Sequence, residues 1–137
     1  MQIRNATEAD LSQLAQWNRE LIEDERADNP MTAGQLELRM RGWLGGDYQA
    51  VIFEEGSTPV AYALFLPDEG DINLRQFFVA RAHRRRGIGR EAMRLFRERC
   101  VPAGASLSLE VLVHNQSALA FWRALGMREH AIRFRLP

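Results

Sequence analysis

Apolar positions recur along this chain in two rhythms, and the switches between them mark out its elements. Spacing near 3.6 residues argues for a helix with one buried stripe, and strict alternation for a strand with one buried face. Leu11, Leu14, Ala15, Leu21 and Ile22 keep the helical rhythm, with Asn18 as the one polar break. Thr7 fits the N-cap of that helix, with Asp10 three residues on as an acidic variant of the capping box. DERADNP ends it, and MTAGQLELRMRGWL predicts a second helix, with Thr32 and Gln35 in capping-box register and Gly45-Gly46 at its end. QIRNAT, before both, reads as a first strand.

YQAVIFEEGSTPVAYALFLPD holds two apolar runs around a Gly-Ser-Thr-Pro turn and predicts a hairpin, and DINLRQFFVA predicts another strand. In the next helix Ile88, Ala92, Leu95, Phe96 and Arg99 share a mostly apolar face, and Pro102-Ala103-Gly104 stops it. SLSLEVLVH predicts a strand with Leu107, Leu109, Val111 and Val113 on one side and Glu110 on the other. NQSALAFWRALGM gives a last helix ending at Gly126, and AIRFRLP a last strand. The order strand, two helices, three strands, helix, strand, helix, strand predicts a single α/β (α+β) domain over 1–137, built on a mixed sheet.

Composition narrows the classes of function. With 137 residues, 46% apolar and 26% charged, the chain suits one soluble domain with one real core. No apolar run approaches the roughly 20 residues that cross a bilayer, so no membrane partner is expected. MQIRNATEAD lacks the plan of a signal peptide, and a cytoplasmic location is expected. Cys100 is the only cysteine, which excludes an internal disulfide and a cysteine-based metal cluster; no metal is expected. A net charge of zero argues against a protein that coats nucleic acid. The 18 basic residues are all arginine, so no lysine is offered for self-acylation.

Candidate chemistry gathers in FFVARAHRRRGIGREAMRLF, where a strand runs into a helix through three arginines and Gly87-Ile88-Gly89. A helix N-terminus carries unpaired N–H groups and about half a positive charge, and glycine lets a ligand approach the backbone. Arg84, Arg85, Arg86 and Arg90 add cations suited to phosphate oxygens. A diphosphate held there explains the pattern; a solvated arginine run explains it as well. Neither the dinucleotide fingerprint nor the P-loop lysine is present, since Ala92 stands at the third glycine position.

A strand leading into R-x-x-G-x-G at Arg84, Gly87 and Gly89, then LEV, then Asn115, Ala118, Phe121 and Gly126, resembles the GNAT-type N-acetyltransferases. The resemblance implies a GNAT-like fold, its mostly antiparallel sheet splayed between central parallel strands and its helices on both faces. It implies acetyl-CoA as cosubstrate, with the pyrophosphate on the backbone from Arg85 through Arg86, Gly87, Ile88 and Gly89 to Arg90. Phe78 and Val79 are then expected along the pantetheine arm, an N–H near Val79 at the developing oxyanion, and Asn115 on the pantetheine or capping the last helix.

The implied reaction is direct attack on the thioester by a primary amine of a small molecule or a protein N-terminus. An alkylammonium is only about one part in a thousand neutral at pH 7, so a base is useful. Glu110 is the candidate, and an ordinary carboxylate paired with an arginine is its other reading. A carboxylate position used in the family on the preceding strand is filled here by Arg75. Trp122 stands where the family often has a tyrosine that protonates the leaving sulfur, which keeps a non-catalytic acyl-CoA-binding module as the alternative. Glu23 and Asp24, within an acidic cluster with Glu20, Glu25 and Asp28, are candidates for attracting a cationic acceptor, or form a solvated helix end. Trp17, Trp43 and Tyr48 line an acceptor pocket or pack in the core. Members of the family often form homodimers through sheet edges or the last strand.

Overall fold

A computed structural model describes all 137 residues. In chain order it contains β1 (Gln2–Asn5), α1 (Leu11–Glu25), α2 (Ala33–Gly45), β2 (Gln49–Glu55), β3 (Thr58–Asp68) and β4 (Asp71–Val79). There follow α3 (Ile88–Cys100), β5 (Ser106–Leu109) and α4 (Gln116–Ala124). Five strands make one sheet in the order β1-β2-β3-β4-β5, antiparallel except for the parallel pair β4–β5.

Alternation along the strands sorts the core into two layers. Val51, Phe53, Ala61, Ala63 and Phe65 face α3, where they meet Ile88, Ala92, Met93 and Phe96. Ala50, Ile52, Tyr62 and Leu64 face the other way, onto Leu11, Leu14 and Trp17 of α1 and Met40 of α2. Tyr62, Phe53, Phe96 and Leu14 are fully buried, so helices cover both faces as the family resemblance implies. Asn18, the polar break in the α1 stripe, is buried and accepts from Arg39 Nη2 at 3.1 Å, which satisfies it.

A bulge on β4 governs the site. Leu64 pairs with Gln76 and Phe65 with Leu74, which leaves Arg75 as an extra residue. Ile72 and Leu74 therefore face α3, whereas Phe78 faces α1, although all are even-numbered. Pairing between β4 and β5 stops at the same level, with Leu74 opposite Leu109. Beyond it the two strands part, and 75–79 keeps an unpaired edge.

Two predicted strands differ from the structure. β5 ends at Leu109, so Glu110, Val111 and Val113 lie beyond it, and Val113 is exposed. With β4 its only partner, β5 loses its ladder where the bulge turns β4 away. AIRFRLP forms no strand: 128–137 is in no element, and Ile132, Phe134 and Leu136 are exposed. The parallel pair consequently closes one edge of a five-stranded sheet and is not central to a six-stranded one. No helix is long and apolar enough to cross a membrane.

Candidate functional site

The parting of β4 from β5 opens a cavity of about 490 Å³ bounded by β4, the turn into α3, α4 and the end of α1. Strand pairing determines which backbone groups face it. Ala80 N donates to Val60 O, and Val79 stands opposite Ala61. This makes Val79–Ala61 a pair without mutual hydrogen bonds, and by alternation Phe77–Ala63 another. The N–H and C=O groups of Phe77 and Val79 therefore point away from β3, into the wedge. The carbonyl of Val79 already accepts from Arg84 Nε at 2.9 Å.

At the mouth of α3 the chain offers donors and gives them no acceptor. The amides of Arg85, Arg86, Gly87, Ile88, Gly89 and Arg90 bond to nothing within the protein. Gly87 is the N-cap at φ 75°, with no side-chain cap, and Arg85 also has a positive φ of 64°. Left-handed conformations at this spacing turn successive amides toward one side, a concavity suited to anions. The residue at 87 must be glycine for its φ, not for space, because a Cβ there meets nothing within 4 Å. Gly89 answers to a different need. A Cβ there would stand 3.0 Å from the Phe121 ring, so this glycine lets α3 close onto α4.

The arginines of the turn divide by task. Arg84 Nη2 meets Asp24 at 2.6 Å and its guanidinium lies 4.9 Å from the Phe78 ring centroid, so Arg84 ties the end of α1 to β4. Arg86 pairs with Glu55 at 3.5 Å and does not line the cavity. Arg84, Arg85 and Arg90 line it, and of these Arg85 and Arg90 have no carboxylate partner. Phe78 is buried with Trp17 and Tyr62, and Ile88 in the α3 layer, so each meets the cavity at the edge of a core.

Phe121 stacks on Phe77 at 6.1 Å, and Trp122 meets Phe77 edge-on at 5.7 Å; all three line the cavity wall. Asn115 caps α4, its side-chain oxygen accepting from Ala118 N at 3.2 Å. The capping role left open by the sequence is the one its oxygen performs, and Asn115 also lines the cavity.

The acidic residues are redistributed from what the sequence suggests. Glu23 and Asp24 do not stand free: Arg81 contacts both, at 3.1 and 3.0 Å, and also Glu20. The hydrogen bonds from Arg84 and Arg81 outweigh burial and hold the Asp24 carboxyl below its usual range. Glu110 lies outside the cavity, 73% exposed, with Arg133 Nη2 at 2.8 Å. The wedge forms at Leu74–Leu109, and the chain turns out toward solvent just where Glu110 begins.

Glu25 lines the cavity beside Asp24, half-buried and, unlike Asp24, without a hydrogen bond or ion pair to its side chain. Burial, and next the charge of Asp24, push its carboxyl above the usual range; His114 works against them. In sequence, Glu25 is only one member of an acidic cluster. Its position at the last turn of α1, where helix geometry rather than charge decides direction, was the signal available.

The GNAT acetyltransferase family model matches residues 11–127. Solved structures share the fold over nearly the whole chain. A possible acetyltransferase from Clostridium difficile 630 superposes with a TM-score of 0.82 at 18% identity, covering 99% of this chain and 95% of that one. An aminoglycoside N-acetyltransferase, AAC(6')-Iy, in complex with CoA, gives 0.72 at 15% identity, covering 98% and 93%. A ribosomal-protein-alanine N-acetyltransferase from Brucella melitensis biovar Abortus 2308 gives 0.75 at 12%, covering 99% and 98%. No curated protein matches the sequence.

Proposed function

Because the chain belongs to the GNAT acetyltransferase family, we propose that it is an acetyl-CoA-dependent N-acetyltransferase acting on a primary amine, by direct attack. The observation that carries this reading is the run of unbonded amides at the α3 mouth, beside a strand edge with free N–H groups. Both fit coenzyme A. The amides from Arg85 to Arg90 suit the diphosphate, with the side chains of Arg85 and Arg90 unpaired beside it. The free edge of β4 suits the amide-bearing pantetheine arm as an added strand.

From the α3 mouth such an arm runs toward the closed end of the wedge and passes Val79 before Phe77. The N–H of Phe77, the deeper of the two, is then the donor to the thioester oxygen. Bound acetyl-CoA supplies the activated acyl group; the chain supplies position, a donor and a base. For the base we assign Glu25 in place of Glu110. A carboxylate whose proton affinity is raised by burial accepts a proton at neutral pH better than an exposed one. Its reach to the amine is direct or through one water.

Trp122 provides no acid of suitable strength, and its edge-on packing against Phe77 gives it a structural use. A thiol with pKa near 8.5 leaves tolerably as thiolate, so the missing tyrosine slows the reaction without forbidding it. The test is thiol release from acetyl-CoA across a panel of primary amines. Acyl transfer to some of them supports the reading. Cofactor binding without thiol release for any amine supports the non-catalytic module instead.

A further inference from the structure

On the α1/α2 face of the sheet, outside the cavity lining, two arginines gather around one aromatic ring. The Arg39 guanidinium lies 4.4 Å from the Trp43 ring centroid and that of Arg75 lies 4.8 Å from it. Neither has a carboxylate within ion-pair distance, whereas Arg4, Arg81, Arg84 and Arg94 each have at least one. Arg75 is exposed, and its Nη1 lies 3.4 Å from the Tyr48 hydroxyl. Arg39 stands half-buried, held through Nη2 by the buried Asn18, and its Nε is shut off from solvent without a partner. A buried donor without an acceptor and two neighbouring cations without a counter-ion are both unfavourable. An anion at the exposed Arg75 relieves the second.

Position gives that anion its meaning. Arg75 is the bulged residue at the closed end of the wedge, two residues from Phe77, or about 7 Å along a strand. Glu25 occupies the opposite end of the same face, close enough to Tyr62 for its charge to disfavour the tyrosinate. Tyr62 is fully buried and donates to Gln76 at 2.8 Å, between the two. The face thus carries a carboxylate at one end and two guanidiniums at the other.

We infer that Arg75, with Tyr48 and Arg39 behind it on Trp43, binds an anionic group of the acceptor, so that the substrate is a small primary amine carrying a carboxylate or phosphate. This rests on the acetyltransferase reading above. It excludes a purely cationic polyamine as the preferred acceptor, because two free guanidiniums oppose one there.

Matched amines of one length test it: 4-aminobutanoate, 3-aminopropyl phosphate and the uncharged 4-aminobutanamide. The expected result is a kcat/KM about ten- to a hundredfold higher for the acid or the phosphate than for the amide, mostly through KM. The better of the two anions identifies the group. Arg75→Gln abolishes the preference, and Arg75→Lys restores part of it. Equal kcat/KM for all three amines, or a preference unmoved by Arg75→Gln and Arg39→Gln, overturns the inference. Binding of the acetylated acid, 4-acetamidobutanoate, followed by amide NMR shifts, separates this from failure of the acetyltransferase reading. Arg75-dependent binding without transfer to any amine keeps the anion site and rejects the enzyme. Transfer without anion preference does the reverse.

Discussion

Two helix mouths in this molecule are built in opposite ways. At the start of α2, Gln35 N donates to Thr32 Oγ1 at 3.2 Å and Thr32 N to Gln35 Oε1 at 2.8 Å. That mouth closes on itself. At the start of α3 no side chain caps, the N-cap is a left-handed glycine, and the amides from Arg85 to Arg90 have no internal acceptor. A helix that served only to pack would gain about 1 kcal/mol from a cap there. Leaving its donors free makes sense when their acceptor comes from outside. The two glutamates divide in the same way: Glu110 is exposed and paired, Glu25 is half-buried and unpaired.

The largest expected effect separates the two glutamates. Glu25→Gln lowers kcat/KM by about 10² to 10⁴-fold, the range for loss of a general base. In the wild type the rate falls as pH drops through the raised pKa of Glu25, and that limb disappears in the variant. Stability moves the opposite way. A carboxyl whose folded-state pKa is raised favours folding below its unfolded pKa, and that advantage is lost as pH rises through the folded pKa. At pH 7 the charged Glu25 therefore opposes folding, and Glu25→Gln raises Tm in a thermal melt.

Gly87→Val comes next and probes the open mouth. A β-branched side chain at φ 75° is strained by about 1–3 kcal/mol, which the turn relieves by re-aiming its amides. Affinity for coenzyme A, measured by calorimetry, falls about ten- to a hundredfold with the fold retained by circular dichroism. Thr32→Ala at the closed mouth costs about 1 kcal/mol in urea unfolding and leaves coenzyme A affinity unchanged. Smallest of all, Glu110→Gln changes neither rate nor stability beyond about 0.5 kcal/mol, since its ion pair is exposed on both sides. A large rate loss there would return the base to Glu110 and remove the contrast.

Most of the architecture was legible because local signals agreed with the tertiary result. Thr32 and Gln35 cap as their spacing says, Asn115 caps α4, and the α1 and α3 stripes are the buried ones. The arginine–glycine turn was legible as chemistry. What alternation could not reveal was pairing. Ile132, Phe134 and Leu136 alternate as a strand does, yet 128–137 joins no ladder and they stay exposed. Leu107 to Val113 alternate too, but the bulge at Arg75 ends the pairing halfway. That bulge also determines which side of β4 each residue faces, and so hides the site from a period-two reading. Arg84 lines the cavity and is also a strut, because Asp24, distant in sequence, folds against it. Arg39 and Arg75, far apart in sequence, meet on one indole.

The central claim is that the unbonded amides at the α3 mouth hold a diphosphate. Calorimetric titration of the purified protein with coenzyme A and, separately, with pantetheine tests it most directly. The two ligands share the thiol arm, and only coenzyme A carries the diphosphate. Saturable binding of coenzyme A is expected, with an affinity at least about a hundredfold lower for pantetheine, as loss of several charge-assisted hydrogen bonds requires. Equal affinities for the two, or no binding of coenzyme A at millimolar concentration, would contradict it.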